Sequence, residues 1–165
     1  MRRRLTTRRL RSKLRTANRR IDTEAIMKIL VINGVNLNMT GKREAVYGEE
    51  TLDDINARLK GFIEARGAEV EFFQSNYEGA IVDRLQKGGF DGLIINAGAY
   101  THYSYAIADA LYSVKAKKVE VHISNILARE EFRQKSVLAR NCDGCIAGLG
   151  ADVYFLAAEY LIWHK

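Results

Sequence analysis

The sequence predicts an α/β fold. It reads as a flavodoxin-like, five-stranded parallel sheet in the order 2-1-3-4-5, with helices on both faces. Two observations carry this. Short apolar, β-branched runs alternate with helix-patterned stretches from residue 28 to the C-terminus, without a linker. Five such runs fit a chain of 165 residues, and strands alternating with helices build βαβ units on a parallel sheet.

The elements follow in order. Lys28–Asn33 (KILVIN) is the first strand, closed by Gly34. Thr51 opens a helix with Asp54 as its capping-box partner; Leu52, Ile55, Leu59, Phe62 and Ile63 share one face, and Gly67 stops it. Glu69–Phe73 is a second strand and Ala80–Leu85 a short helix ended by Gly88 and Gly89. Gly92–Asn96 (GLIIN) is the third strand, Tyr103–Val114 a helix, Val119–Ile123 the fourth strand and Cys145–Gly148 the fifth. Asp152–Trp163 closes the chain as a helix.

Composition bounds the function classes. Hydrophobic residues make up 47% and charged residues 28%, which is ordinary globular usage and excludes a disordered chain. No run approaches the ~18–20 apolar residues of a membrane span. The net charge of +6 is local. Residues 1–26 hold nine Arg and one Lys against Asp22 and Glu24, a net of +8; residues 27–165 hold 16 basic and 18 acidic residues, a net of −2. The acidic body argues against a folded nucleic-acid surface. The Arg-rich stretch 1–26 has no apolar h-region of a secretory signal. We read it as a disordered, non-functional extension, with translation properly starting at Met27; weak phosphate contact by the tail is the lesser reading. Residues 27–165 form the domain. Proline is absent, although average usage predicts roughly eight in this length.

Open parallel sheets bind ligands outside the carboxyl ends of their strands, where the strand order reverses. Strand one ends in Asn33, Gly34, Asn36 and Asn38; strand three in Asn96, Gly98, Thr101 and His102; strand four in His122, Ser124 and Asn125. Three polar clusters with two of the three histidines therefore meet on one edge, which is the expected site. Competing chemistries fit poorly. Cys142-Asp143-Gly144-Cys145 runs into an apolar strand instead of opening a helix. With only two cysteines it lacks both a zinc set and a disulfide framework. Reduced structural thiols in a cytoplasmic protein are the reading. NGVNLN after strand one has neither G-x-G-x-x-G nor G-K-[ST], which argues against dinucleotides and P-loop chemistry. What is left is a small-molecule site beside a loop holding Arg43 and Tyr47.

NGVNLN, GKREAVYGEETLDDIN, FFQSNYEG, FDGLIINAGAYTHYSYAIADAL, VEVHISNILAREEFR and CDGCIAGLG occur in that order. Together they resemble type II 3-dehydroquinate dehydratase (type II dehydroquinase) over residues 27 to about 158. The resemblance implies a cytoplasmic hydro-lyase of the shikimate pathway, which serves aromatic amino acid and chorismate biosynthesis. It would remove water from 3-dehydroquinate to give 3-dehydroshikimate through an enolate, with no metal and no cofactor. It also implies a homododecamer built as a tetramer of trimers.

Carried over residue by residue, the resemblance makes Tyr47 the base, as a phenolate. Free tyrosine has a pKa near 10, so a cation must favour the anion; Arg43 matches that position. His122 matches the general acid, and Glu120 the residue that orients it. Asn36 and Asn96 would hold the enolate oxygen. The backbone amides of Ile123 and Ser124, with Asn96, would take the substrate carboxylate, and His102, Asp109 and Arg133 the ring hydroxyls. Arg129 matches an arginine of a closing loop.

The chain departs from the family pattern at several points. Arg43 to Tyr47 is four steps where the family has five, so either the loop is one residue shorter or Lys42, a poorer partner than arginine, takes the place at five steps. Leu127 and Ala108 stand where the family has histidine and arginine, and Val35, Lys117 and Arg140 where it has prolines. These departures support an alternative: a weakened or inactive member that only binds a small cyclic carboxylic acid. A module tethered to nucleic acid by its tail is a third reading.

Overall fold

The structure is a computed structural model that describes residues 25–42 and 50–165. Arg43 and Tyr47, and all of the Arg-rich extension except residues 25 and 26, lie outside the described residues. Five strands form one parallel sheet: β1 (Lys28–Asn33), β2 (Glu69–Gln74), β3 (Gly92–Asn96), β4 (Lys117–His122) and β5 (Gly144–Ala147), in the order β2-β1-β3-β4-β5. Four helices cover it: α1 (Leu52–Glu64), α2 (Glu78–Lys87), α3 (Tyr105–Ser113) and α4 (Asp152–Trp163). This is the topology the sequence predicts.

The central strands β1 and β3 are apolar on both faces because both faces are covered. Ile29, Val31 and Ile94 pack with Ile55, Leu59 and Ile63 of α1 and Val153, Tyr154, Ala157 and Leu161 of α4. Leu30, Ile32, Leu93 and Ile95 pack with Ile81 and Leu85 of α2 and Ile107 and Leu111 of α3. All seven strand residues are 0–1% exposed, and full burial of such side chains stabilises by about 1.5–3 kcal/mol each.

Local signals set the element ends. The Thr51 side chain accepts from Asp54 N and Asp54 accepts from Thr51 N, the capping box read from the sequence. Tyr103–Val114 is shorter than expected, because Ser104 accepts from Ile107 N and starts α3 at Tyr105; Gly98–His102 forms a separate 3-10 turn. Helix α2 is longer than expected at both ends. Strand β4 begins at Lys117, tied by Lys118 N donating to Asp143 Oδ2 at 2.7 Å, and ends at His122, so Ile123 belongs to the turn after it.

Candidate functional site

The carboxyl ends of β1 and β3 meet almost backbone to backbone. Gly34 N donates to Asn96 O at 2.7 Å. A Cβ on Gly34 would stand 2.3 Å from Ala97 O, and one on Gly98, whose φ is +62°, would stand 2.5 Å from Val35 O. These two glycines let the loops close on each other. Asn36 follows with φ +66°, the one left-handed residue other than glycine among those described. Asparagine tolerates this conformation better than most residues, and the Asn36 N–H donates to Asn76 Oδ1 at 2.9 Å. Gln74 Nε2 joins the same corner by donating to Gly34 O and Asn76 Oδ1.

Asn96 closes β3 and is 3% exposed. Its Oδ1 accepts from Gly98 N at 3.2 Å, and its Nδ2 donates to the hydroxyl of Tyr154 at 2.9 Å. His102 is held from the far side, with Nδ1 2.9 Å from Lys135 O. On β4, alternate side chains share a face, so Glu120 and His122 both point toward the loop 131–139. Glu120 is fully buried and lies 2.9 Å from His122 Nε2. Ser136 Oγ reaches both of its oxygens at 2.9 Å, and Thr101 Oγ1 donates to it as well. Ser136 is itself fixed, accepting from Leu138 N and Ala139 N. A buried carboxylate needs such donors. By accepting the Nε2 proton it orients the His122 ring, which leaves Nδ1 as the nitrogen for a ligand.

A cavity of about 130 Å³ opens at this edge, lined by Asn36, Asn96, His102, His122, Ile123, Ser124, Arg129 and Arg133, with Val35, Leu37, Gly98, Ala99 and Ile126. Arg133 and Arg129 both lie against Glu130 Oε2, at 3.2 and 3.4 Å. The Arg133 pair lacks hydrogen-bond geometry, since its buried Nε makes no hydrogen bond. Its own backbone N–H first, and then these arginines, lower the Glu130 carboxyl from its ordinary pKa.

The structure thus brings together Asn36, Asn96, His102, His122, Ile123, Ser124 and Arg133, and sets Glu120 behind His122. Asp109 stands apart. It is on the exposed side of α3 and does not line the cavity of its own chain. Sequence reasoning missed Ser136 and Tyr154, and placed Thr101 at the site's edge without its contact to Glu120. Glu120, His122 and Cys145 offer ligand atoms within 4.8 Å of one another, the one group among the described residues that could hold a metal ion. Hydroxyl and imidazole donors already occupy both oxygens of that carboxylate. Burial, the larger cause, and then nearby Glu120 push the Cys142 thiol up to about 12 and that of Cys145 up to about 11. Both stay protonated and poorly nucleophilic near neutral pH, in keeping with the structural reading of the C-x-x-C.

Known proteins resemble this chain in sequence and in fold. The family model described as dehydroquinase class II matches residues 27–162. A protein named 3-dehydroquinate dehydratase from Thermotoga neapolitana is 62% identical over 136 residues, covering 82% of this chain and 94% of that protein. The crystal structure of a type II dehydroquinase from Butyrivibrio crossotus superposes with a TM-score of 0.81 at 51% identity, covering 82% of this chain and 97% of the other. A second, from Propionibacterium acnes, gives a TM-score of 0.80 at 43% identity over 84% and 99%.

Proposed function

This chain belongs to the class II dehydroquinase family, and from that premise we propose that the cavity removes water from 3-dehydroquinate to give 3-dehydroshikimate, a step of the shikimate pathway. The convergence of Asn36, Asn96, His102, His122 and Arg133 on one cavity, with Glu120 behind His122, is the observation that carries this reading.

The steps are those the family resemblance implies, and the residue types suit them. Tyr47, as a phenolate favoured by the cation Arg43, takes the proton next to the ketone. The electron pair moves onto the carbonyl oxygen, and the enolate is met by Asn36 and Asn96. Donors aimed at developing charge act mainly in the transition state. The enolate then collapses, the bond to the departing hydroxyl breaks, and His122 delivers the proton that makes it water. The N–H groups of Ile123 and Ser124, with Asn96, receive the carboxylate. His102 and Arg133, and Asp109, receive the ring hydroxyls. No metal and no cofactor enters this scheme.

The enzyme is proposed to work in the cytoplasm as a homododecamer, a tetramer of trimers. Tyr103, Tyr105, Tyr112, Leu127 and Phe132 support assembly: these large apolar or aromatic side chains are 58–81% exposed on this single chain, and exposed apolar groups of this size mark interaction surfaces when they are contiguous. Among the described residues no helix is long and apolar enough to cross a membrane.

The test is turnover. Purified chain is given 3-dehydroquinate, and the conjugated enone of the product is followed by its absorbance. The reading requires a rise that scales with enzyme concentration. The four-step spacing from Arg43 to Tyr47 favours a second reading, a member that binds a small cyclic carboxylic acid without turning it over. Saturable binding of a cyclic carboxylate with no enone signal selects it.

A further inference from the structure

We infer that Tyr154, a fully buried residue of α4 remote in sequence from every other part of the site, is a positioning residue that fixes the Asn96 side-chain amide, together with Asn33. The inference rests on the proposed role of Asn96. Asn33 and Asn96 are register partners at the last positions of β1 and β3. Their side chains face α4, because Val31 and Ile94, two residues before each, pack with it. Tyr154 bridges them: its hydroxyl accepts from Asn96 Nδ2 at 2.9 Å and donates to Asn33 Oδ1 at 2.6 Å.

The chain of donors has one direction. Gly98 N can only donate, so Asn96 Oδ1 must be its acceptor and Asn96 Nδ2 must face the phenol. The phenol spends its single proton on Asn33 and has only a lone pair to offer Asn96. Burial holds the phenol far above its ordinary pKa, so the proton stays on it throughout the working range. Asn96 is therefore fixed at both ends, and its second Nδ2 hydrogen is left for the cavity that Asn96 lines. Without the phenol the amide keeps only its contact with Gly98 N and can turn. The relay touches neither Ile123 nor Ser124, whose N–H groups still hold the carboxylate when Asn96 turns, so kcat should fall more than KM rises.

The experiment compares the parent chain with Tyr154→Phe, Asn33→Leu and the double variant. It reads kcat and KM for 3-dehydroquinate, the thermal midpoint and the side-chain amide signals of Asn96 by NMR. Removing one oxyanion donor costs about 10²–10³ in kcat, and misaligning one should cost less. Tyr154→Phe is expected to lower kcat roughly 10- to 100-fold with KM within about threefold, and to shift the Asn96 amide signals. Asn33→Leu frees the phenol proton to turn toward Asn96 and should lower kcat similarly. The double variant should be no worse than the poorer single one, as groups acting as one unit are not additive. A merely structural hydroxyl lowers the melting point and leaves kcat of the folded protein within threefold, which overturns the inference. If Tyr154→Phe does not fold, Asn33→Leu decides by the same criteria. A parent chain with no turnover removes the functional reading and the role assigned here with it, while unchanged Asn96 signals in Tyr154→Phe remove the relay alone.

Discussion

Replacing Gly34 with Ala tests how closely the site depends on the meeting of β1 and β3. The added Cβ would lie 2.3 Å from Ala97 O, 2.6 Å from Ala97 C and 2.9 Å from Ala97 Cα. All three are backbone atoms, so no side chain can swing away. Ordinary contact lies at 3.4 Å or more, so the strand ends must part by about 1 Å. Asn36 is two residues beyond the clash and Asn96 one residue before it. A misplacement near 1 Å costs about 10²-fold in rate, and forced overpacking costs about 1–3 kcal/mol of stability. At roughly 3–6 °C per kcal/mol for a domain of this size, the melting point should drop by about 3–18 °C. Steady-state turnover measured well below the melting point separates the two effects. Gly61→Ala is the control: nothing lies within 4 Å of its Cβ on α1, and it should gain about 0.5–1 kcal/mol. A Gly34→Ala chain within threefold of parent turnover and about 2 °C of its melting point would refute the reasoning.

Three further outcomes follow. Glu120→Gln keeps the volume but turns an acceptor toward Ser136 or Thr101 into a donor, so turnover should fall roughly 10–100-fold while inhibitor binding changes little; parity with the parent would remove the carboxylate from the mechanism. Stability should decline in alkali. Cys145 and Cys142 have thiols raised to about 11 and about 12, and Tyr154 is raised too; groups raised on folding stabilise below their unfolded pKa and lose that contribution as pH climbs through the folded value. Urea midpoints should thus hold to about pH 8.5 and fall from there to pH 11, and a flat profile contradicts this. Light scattering at micromolar concentration should give a mass many times the 18.7 kDa of one chain, where a monomer would contradict the proposed assembly.

Strands and their order were legible because each is a continuous apolar run, and the site's edge because polar residues cluster where those runs stop. Gln74 and Lys117 were missed as strand residues because paired backbone, not side-chain pattern, carries them. Ser136, and the contact that Thr101 makes, were illegible for another reason: their common partner, Glu120, lies 16 and 19 residues away. Tyr154 sits among Val153, Ala157 and Ala158, where a tyrosine reads as core, and only the fold reveals that its hydroxyl ends between two asparagines. The glycine contacts at Gly34 and Gly98 were equally hidden, since a turn glycine and a glycine facing another backbone look alike in sequence. Asp109 shows the converse. A motif nominated it, yet one helix face places it away from its own chain's cavity.

The most direct test is His122→Ala, assayed for turnover of 3-dehydroquinate and, in parallel, for binding of a product-like cyclic carboxylate. His122 lines the cavity and is braced from behind by Glu120. Loss of a general acid should lower kcat by about 10²–10⁴, with inhibitor affinity within a few-fold of the parent. A variant that keeps turnover within twofold would contradict the account, because the cavity would then have no acid for the departing hydroxyl.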